Sequence, residues 1–385
     1  MLRETLVNRG LFFLFKKIDL LFFLFKKKKY LKKEDRYQKI LIIELWGIGD
    51  IVLMSSILPA LKDRFPQAEV CLLSKNIAKQ IIKDRFIDKF FLFDFPWTGF
   101  KNKYKLWRWD WKGLFKLIKK LSKEKFDLIL DARGDIRNNF LSFLIGGKRR
   151  LGYNWSGGGI FLTDVIKIDY KNIHRVEAWN VILRHLNVNT NTPKPYVEVG
   201  IEEEKWAEDF LWKNEYRNNK IVVGIHPGAR IETRRWPLEK FAKISDYIYE
   251  RYNSPPLIFV DSEDYGKKIP VKYPCIKVKL SLRELIAVLK KIDILICNDG
   301  GVMHIATALN TPVIAIFGPT NPVWFGPWGK GHTLIIKKNV KCRPCFDYCK
   351  YEKPHCIWDI SIEEVKQAVE KKMRKISNNK KYEFN

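Results

Sequence analysis

The sequence predicts an α/β protein of two successive parallel-sheet domains behind a basic, aromatic helical extension. Three observations carry that prediction. From Gln38 onward, short β-rich runs alternate with helix-length amphipathic segments, the pattern of βαβ units. A polar stretch, NVNTNTPKP at 187–195, separates two such series. In both series, glycines and ionisable residues follow the strand candidates, where α/β domains place their ligands. The 385 residues exceed what one core organises, and 46% hydrophobic content is too high for a disordered chain. A collagen, a disulfide miniprotein and a multi-span membrane protein are excluded. The expected boundaries are an extension over 1–38, a first domain over 39–190, a second over 191–360, and a C-terminal helix with a polar tail over 361–385.

The extension holds a near duplication, LFFLFKKIDLLFFLFKKKK at 11–29. A membrane-spanning helix needs about 20 mostly apolar residues, and Lys16, Lys17 and Asp19 interrupt this run. Lysines and a tyrosine follow it where a cleaved signal would have small residues. On a helical wheel Leu11, Leu14, Phe15, Ile18, Leu21, Phe22 and Phe25 share a charge-free arc, which describes an imperfect interfacial helix. Residues 1–39 carry a net charge of +8, suited to an anionic membrane surface; the alternative is packing against protein.

Strand candidates in the first domain are 39–45, 69–73, 89–94 and 126–132, with helices around 51–64, 110–121 and 137–145. Those in the second are 220–228, 256–261, 275–278, 293–299 and 311–318, after a helix at 201–213. Ser361-Ile362-Glu363-Glu364 reads as a capping box opening the last helix. The formal charge is +28, which favours polyanionic ligands without choosing among them. No nucleic-acid motif is visible and the 13 tryptophans scatter, so a nucleic-acid-binding protein is a minor alternative and no nucleic-acid partner is expected.

The first strand runs into Leu45-Trp46-Gly47-Ile48-Gly49-Asp50, and a helix starts at once. Asp50 is either a cap or a general base that takes a proton from a hydroxyl nucleophile. A dinucleotide fingerprint is disfavoured, because the third glycine is missing. In the second domain Asn298-Asp299-Gly300-Gly301-Val302-Met303-His304 opens a helix whose amides suit a pyrophosphate. Arg234 and Arg235, following His226-Pro227-Gly228-Ala229, add charge-assisted contacts. Gly318 and Thr320 end the next strand beside that loop. Arg133, Arg137 and Arg150 are candidates to hold an acidic or phosphorylated acceptor, with Gly49 beside them.

These residues resemble glycosyltransferase family 9, the family of the lipopolysaccharide heptosyltransferases. The resemblance runs over ILIIELWGIGDIVLMSSILPALKDRFPQAEV (40–70), DLILDARGDIRNN (127–139), RRLGY (149–153), HPGAR with RRWPLEKF (226–241) and NDGGVMHIATALNTPVIAIFGPTNP (298–322). It implies a GT-B architecture, two Rossmann-like domains facing across a cleft, and an inverting transfer from a nucleotide-activated sugar that needs no metal or other cofactor. It makes Asp50 the base, sets Arg235 on the donor phosphates where the family often has lysine, and assigns Asp299, Gly300, Gly301 and His304 to the donor. Gly300 stands where heptosyltransferases commonly carry Ser or Thr. The implied partners are a nucleotide-diphosphate sugar and a lipid-linked or lipopolysaccharide saccharide. The implied location is cytoplasmic, peripheral at the inner face of the membrane. Another nucleotide-sugar enzyme of this architecture, with a different donor or acting as an epimerase or hydrolase, is the alternative.

Seven cysteines do not form a secreted disulfide framework, which favours a reducing compartment. Cys342, Cys345, Cys349 and Cys356 lie within 15 residues. They are read as a structural zinc site, an iron–sulfur site, or thiols that are reduced or disulfide-linked.

Overall fold

The computed structural model describes residues 36–83, 85–99, 105–188, 190, 193–216, 220–345 and 349–382. The amphipathic segment 11–29, with the surface contact expected of it, lies outside the described residues. The chain divides into two compact units between Pro193 and Lys194.

The first unit is a parallel sheet of β1 (Lys39–Ile43), β2 (Glu69–Ser74), β3 (Lys89–Leu92), β4 (Leu128–Asp131), β5 (Arg149–Gly152) and β6 (Asp164–Val165), ordered β3-β2-β1-β4-β5-β6. The second holds β7 (Val223–His226), β8 (Leu257–Phe259), β9 (Ile276–Val278), β10 (Ile294–Asn298), β11 (Val313–Phe317) and β12 (Thr333–Ile336), ordered β12-β11-β10-β7-β8-β9 and again all parallel. Counted within its own unit, each sheet has the order 3-2-1-4-5-6 of a doubly wound Rossmann domain. The propagation of such a sheet reverses between its first and fourth strands, leaving a crevice beyond their carboxyl ends. Here those pairs are β1 with β4 and β7 with β10.

Strands covered on both faces are continuous apolar runs rather than alternating ones, and KILII and ILICN fit that rule. The longer helices of the first unit are α1 (Ile48–Met54), α2 (Leu58–Arg64), α3 (Trp111–Lys123), α4 (Ile136–Ile145) and α5 (Arg175–His185). Leu114 and Leu121 of α3 and Leu141 and Ile145 of α4 share one core with Leu41, Ile43, Cys71, Leu73 and Ile129, so both helices cover the same sheet face. The second unit has α6 (Ile201–Lys213), α7 (Leu238–Tyr252), α8 (Leu282–Lys291), α9 (Gly301–Ala308) and α10 (Ile362–Tyr382). The last helix is integral to it: Val365, Val369 and Met373 are fully buried with Phe241, Ile244 and Ile248 of α7. Its capping box forms, with Ser361 N–H on Glu364 Oε2 and Glu364 N–H on Ser361 Oγ.

The helix expected over 51–64 is two helices joined by a 3-10 turn at Ser55–Ile57. Pro59 has no N–H to continue the ladder, while the Ser55 and Ser56 hydroxyls donate to the Val52 and Leu53 carbonyls. Strands β5, β6 and β12 add to those expected. One opens with two arginines and another has only two residues, so neither shows an apolar run.

Candidate active site

In the first unit the chain leaves β1 through Glu44, Leu45, Trp46 and Gly47 and turns into α1. Asp50 lies in the first turn of that helix, and its two oxygens have different partners. Oδ2 accepts the Gly47 N–H at 3.3 Å, the ordinary capping arrangement, while Oδ1 pairs with Arg133 Nη1 at 2.9 Å. Arg133 follows the end of β4, so this ion pair spans the crevice where the first sheet reverses. Its guanidinium also lies 4.2 Å from the Trp46 ring centroid, a cation–π contact that fixes its plane. Asp131 shapes the loop beneath. It accepts the Arg133 and Gly134 N–H groups on Oδ1 and the Asn138 amide on Oδ2, and burial pushes its pKa up to about 6.

Glu44, Asp50, Arg133 and Arg175, with Leu53, Ala132 and Trp179, line one small cavity. Glu44 is 5% exposed. Removal from water, reinforced by the charge of Asp50, pushes its pKa up to about 8. Arg175 donates to the Ala132 carbonyl and lies over the Trp155 ring; desolvation, joined by repulsion from Arg133, draws its pKa down to about 10.

The second unit builds its crevice around Asn298, the last residue of β10. Its side-chain amide donates to the Pro227 carbonyl at 2.8 Å, and its Oδ1 accepts the Trp236 N–H at 3.1 Å. One buried amide therefore ties the loop after β7 and the arginine segment to the end of β10. Trp236 is fully buried, and its indole N–H donates to the Ile360 carbonyl, which fixes the position of the arginines just before it. Arg234 Nη1 pairs with buried Asp299 Oδ2 at 3.2 Å. Arg235 donates through Nε to the Ala229 carbonyl and sits 5.7 Å from the Tyr265 ring. Gly300 caps α9 in an extended conformation, and a Cβ there would meet nothing within 4 Å, so the N-terminal amides of α9 adjoin open space. His304 is buried on the same helix. Thr320 is fully buried, and its hydroxyl has no hydrogen-bond partner among the described residues.

The expected residues thus fall into two groups. Asp50, Gly49 and Arg133 gather at the first crevice; His226, Arg234, Arg235, Asp299, Gly300, Gly301 and His304 gather at the second. Others are engaged differently. Arg137 pairs with Asp135 through Nε and Nη2. Arg150 reaches back to the carbonyls of Phe161 and Gly147, away from the carboxyl end of its strand. His226 lies 3.8 Å from Asp261, whose carboxyl it holds below the usual carboxylate range. Gly318 serves packing, since a Cβ on it would come within 2.8 Å of Ile357 Cβ. Sequence reasoning missed Glu44, Trp46, Arg175 and Asn298. A glutamate inside the apolar run ILIIEL was the available signal for the first.

Cys342, Cys345, Cys349 and Cys356 line one cavity of about 290 Å³ with Thr233 and Pro319. Among the described residues no three Cys, His, Asp or Glu side chains are arranged to hold a metal ion, so the zinc site expected from their spacing is not supported. Burial raises the Cys356 thiol to about 12 and the Cys345 thiol to about 11, which makes both poor thiolates.

The chain is similar to known proteins over most of its length. The family description "Glycosyltransferase family 9 (heptosyltransferase)" matches residues 114–355. Lipooligosaccharide heptosyltransferase 2 of Haemophilus influenzae is 23% identical over 319 residues, 77% of this chain and 88% of that protein. A family 9 glycosyl transferase from Veillonella parvula superposes with a TM-score of 0.69 at 21% identity, covering 89% of this chain and 99% of the other. The ADP-heptose lipopolysaccharide heptosyltransferase II of E. coli gives 0.66 at 18% identity, covering 89% and 100%. Both share the fold.

Proposed function

Since the chain belongs to glycosyltransferase family 9 and is a glycosyltransferase, we propose that it moves a heptosyl group from ADP-heptose to a saccharide of the lipopolysaccharide core, with inversion at the anomeric carbon. The observation that carries this reading is chemical division between two crevices of the same topology. One offers a carboxylate, Asp50; the other offers two arginines and the free amides of a helix start.

The reaction needs both. An acceptor hydroxyl oxygen forms a bond to the anomeric carbon on the face opposite the diphosphate, while the bond from that carbon to the phosphate oxygen breaks. Asp50 takes the hydroxyl proton, and the departing nucleoside diphosphate takes the bonding pair. Its growing charge is met by Arg235, by Arg234 and by the amides at Gly300 and Gly301, fixed donors that need no reorganisation. Arg133 sits on the base in the resting site. An anionic group on the acceptor competes for that guanidinium and leaves the Oδ1 lone pair of Asp50 for the hydroxyl. Arg137 and Arg150 are lesser candidates for acceptor contact, being held by Asp135 and by backbone carbonyls. Thr320 supplies a hydroxyl to the donor. We propose further that the enzyme works at the inner face of the cytoplasmic membrane, with residues 11–29 against anionic lipid.

Asp50→Asn keeps the shape and the capping oxygen but removes the proton acceptor. ADP release from ADP-heptose in the presence of acceptor is expected to fall by about 10²–10⁴, the usual worth of a general base, with the melting temperature little changed. Excess EDTA leaves the wild-type rate intact. Full turnover by the variant refutes the base assignment, and acceptor-independent ADP release at the full rate replaces transfer with hydrolysis.

A further inference from the structure

The first unit carries aromatic surface that its fold leaves exposed. A 3-10 turn at Leu106–Arg108 leads into α3, and there Trp107 is 77%, Phe115 64% and Leu106 53% exposed. On the neighbouring α4, Phe140 and Phe143 are also exposed, and the shared core places both helices on one face of the sheet. These rings are not loose ends. Trp97, buried in that core, lies 5.7 Å from Trp109, which lies 5.1 Å from Trp111, itself 6.2 Å from Phe115. The Trp111 indole N–H is fixed on the Leu106 carbonyl at 2.8 Å. A ladder of rings thus rises from the core to the surface and is held there, where contiguous apolar area signals a partner.

The charges around it say what kind. Residues 105–123 hold six lysines and one arginine against one acid, Asp110, whose carboxylate is spent capping Gly113 N–H of α3. With Leu114, Leu117, Ile118 and Leu121 turned into the core, the outer side of α3 sets Phe115 among lysines. Rigid aromatics inside a one-sign basic field match the boundary of an anionic bilayer, where rings enter the headgroup region and ammonium groups meet phosphate. A second copy of the same surface would bring like charges together.

We propose that the turn at 106–108 together with α3 and α4 is a lipid-docking surface for anionic bilayers, separate from the segment 11–29. The inference does not depend on the sugar chemistry proposed above. It is tested with the full chain and vesicles of phosphatidylcholine alone or with phosphatidylglycerol. Hydrogen exchange in amides of 105–116 and 140–146 is expected to slow at least threefold on the anionic vesicles only. Trp107→Ser with Phe115→Ser, both exposed and outside the site, is expected to weaken vesicle binding at least tenfold while soluble-acceptor turnover and melting temperature hold. Unchanged exchange in these peptides on vesicles that still bind the chain overturns the proposal and leaves 11–29 as the anchor. So does a double variant that binds vesicles like wild type. A double variant that loses self-association but not vesicle binding assigns the surface to a second copy and overturns it as well.

Discussion

Glu44 shows how a single carboxyl records its surroundings. It follows directly on the apolar run Ile40–Ile43 of β1, and burial together with the Asp50 charge pushes its pKa up from 4.5 to about 8. Because the folded state holds this proton more tightly than the unfolded chain, its contribution to stability is complete below about pH 4.5 and is lost as pH rises through 8, at most about 1.4 kcal/mol per unit. Asp131, raised to about 6, acts with the same sign over a narrower window. Glu44→Gln keeps an oxygen for the Trp46 N–H and cannot ionise. Urea unfolding of the two proteins from pH 5 to 9 is expected to show the variant gaining on wild type up to pH 8 and holding a constant lead above it. Parallel curves across that range would mean that Glu44 titrates as an ordinary surface carboxyl.

The elements around the second crevice are joined by hydrogen bonds between residues far apart in sequence, and Asn298 makes two of them. Replacing it by alanine strands the buried Trp236 N–H and loosens the Pro227 carbonyl, a cost of about 2–4 kcal/mol from one or two unmet polar groups. The arginines preceding Trp236 lose their fixed position, so Asn298→Ala is expected to raise the donor KM at least tenfold and leave the acceptor KM within twofold. Equal change in both constants would deny the segment a donor-specific role. This junction also marks how much the sequence discloses. Apolar runs such as KILII and ILICN, followed by Gly and Asp, reveal the strand ends and so Asp50 and the 298–304 loop, because a strand buried on both faces has little freedom in composition. Arg234 and Arg235 are readable as cations near the same loop. What they are fastened to is not: the Asn298 amide links positions more than 60 residues apart, and Arg150 is absorbed by carbonyls that any residue supplies. Nor does four-cysteine spacing disclose arrangement in space: the four line one cavity, yet among the described residues they are not set to hold a metal ion. The aromatic ladder on α3 was hidden for a related reason, since periodicity marks the buried stripe of a helix and says little about rings on its outer side.

At the scale of the whole chain, each crevice is built within one unit, and each unit has its own sheet and core. The hydrogen bonds of Asn298 to Pro227 and Trp236 join residues of the second unit, and the Asp50–Arg133 pair joins residues of the first. Nucleoside diphosphate without sugar or acceptor should therefore register in the second unit. The net charge of +28 speeds encounter with any polyanion, so nonspecific attraction must be separated from fit. ADP at 100 times its dissociation constant stabilises the state it binds by about 2.7 kcal/mol, whereas inorganic diphosphate, with the charge but not the nucleoside, should achieve less at the same concentration. Hydrogen exchange with ADP is expected to slow amides of 226–236 and 299–305, leaving those of 44–50 and 131–138 within twofold of the free protein. In 0.5 M salt, where the Debye length falls to a few ångströms, the pattern should persist at weaker affinity, because amides and guanidinium groups in contact with phosphate are not screened as a diffuse field is. Protection confined to 44–50 and 131–138 would place the nucleotide on the wrong sheet and reverse the assignment of donor and acceptor.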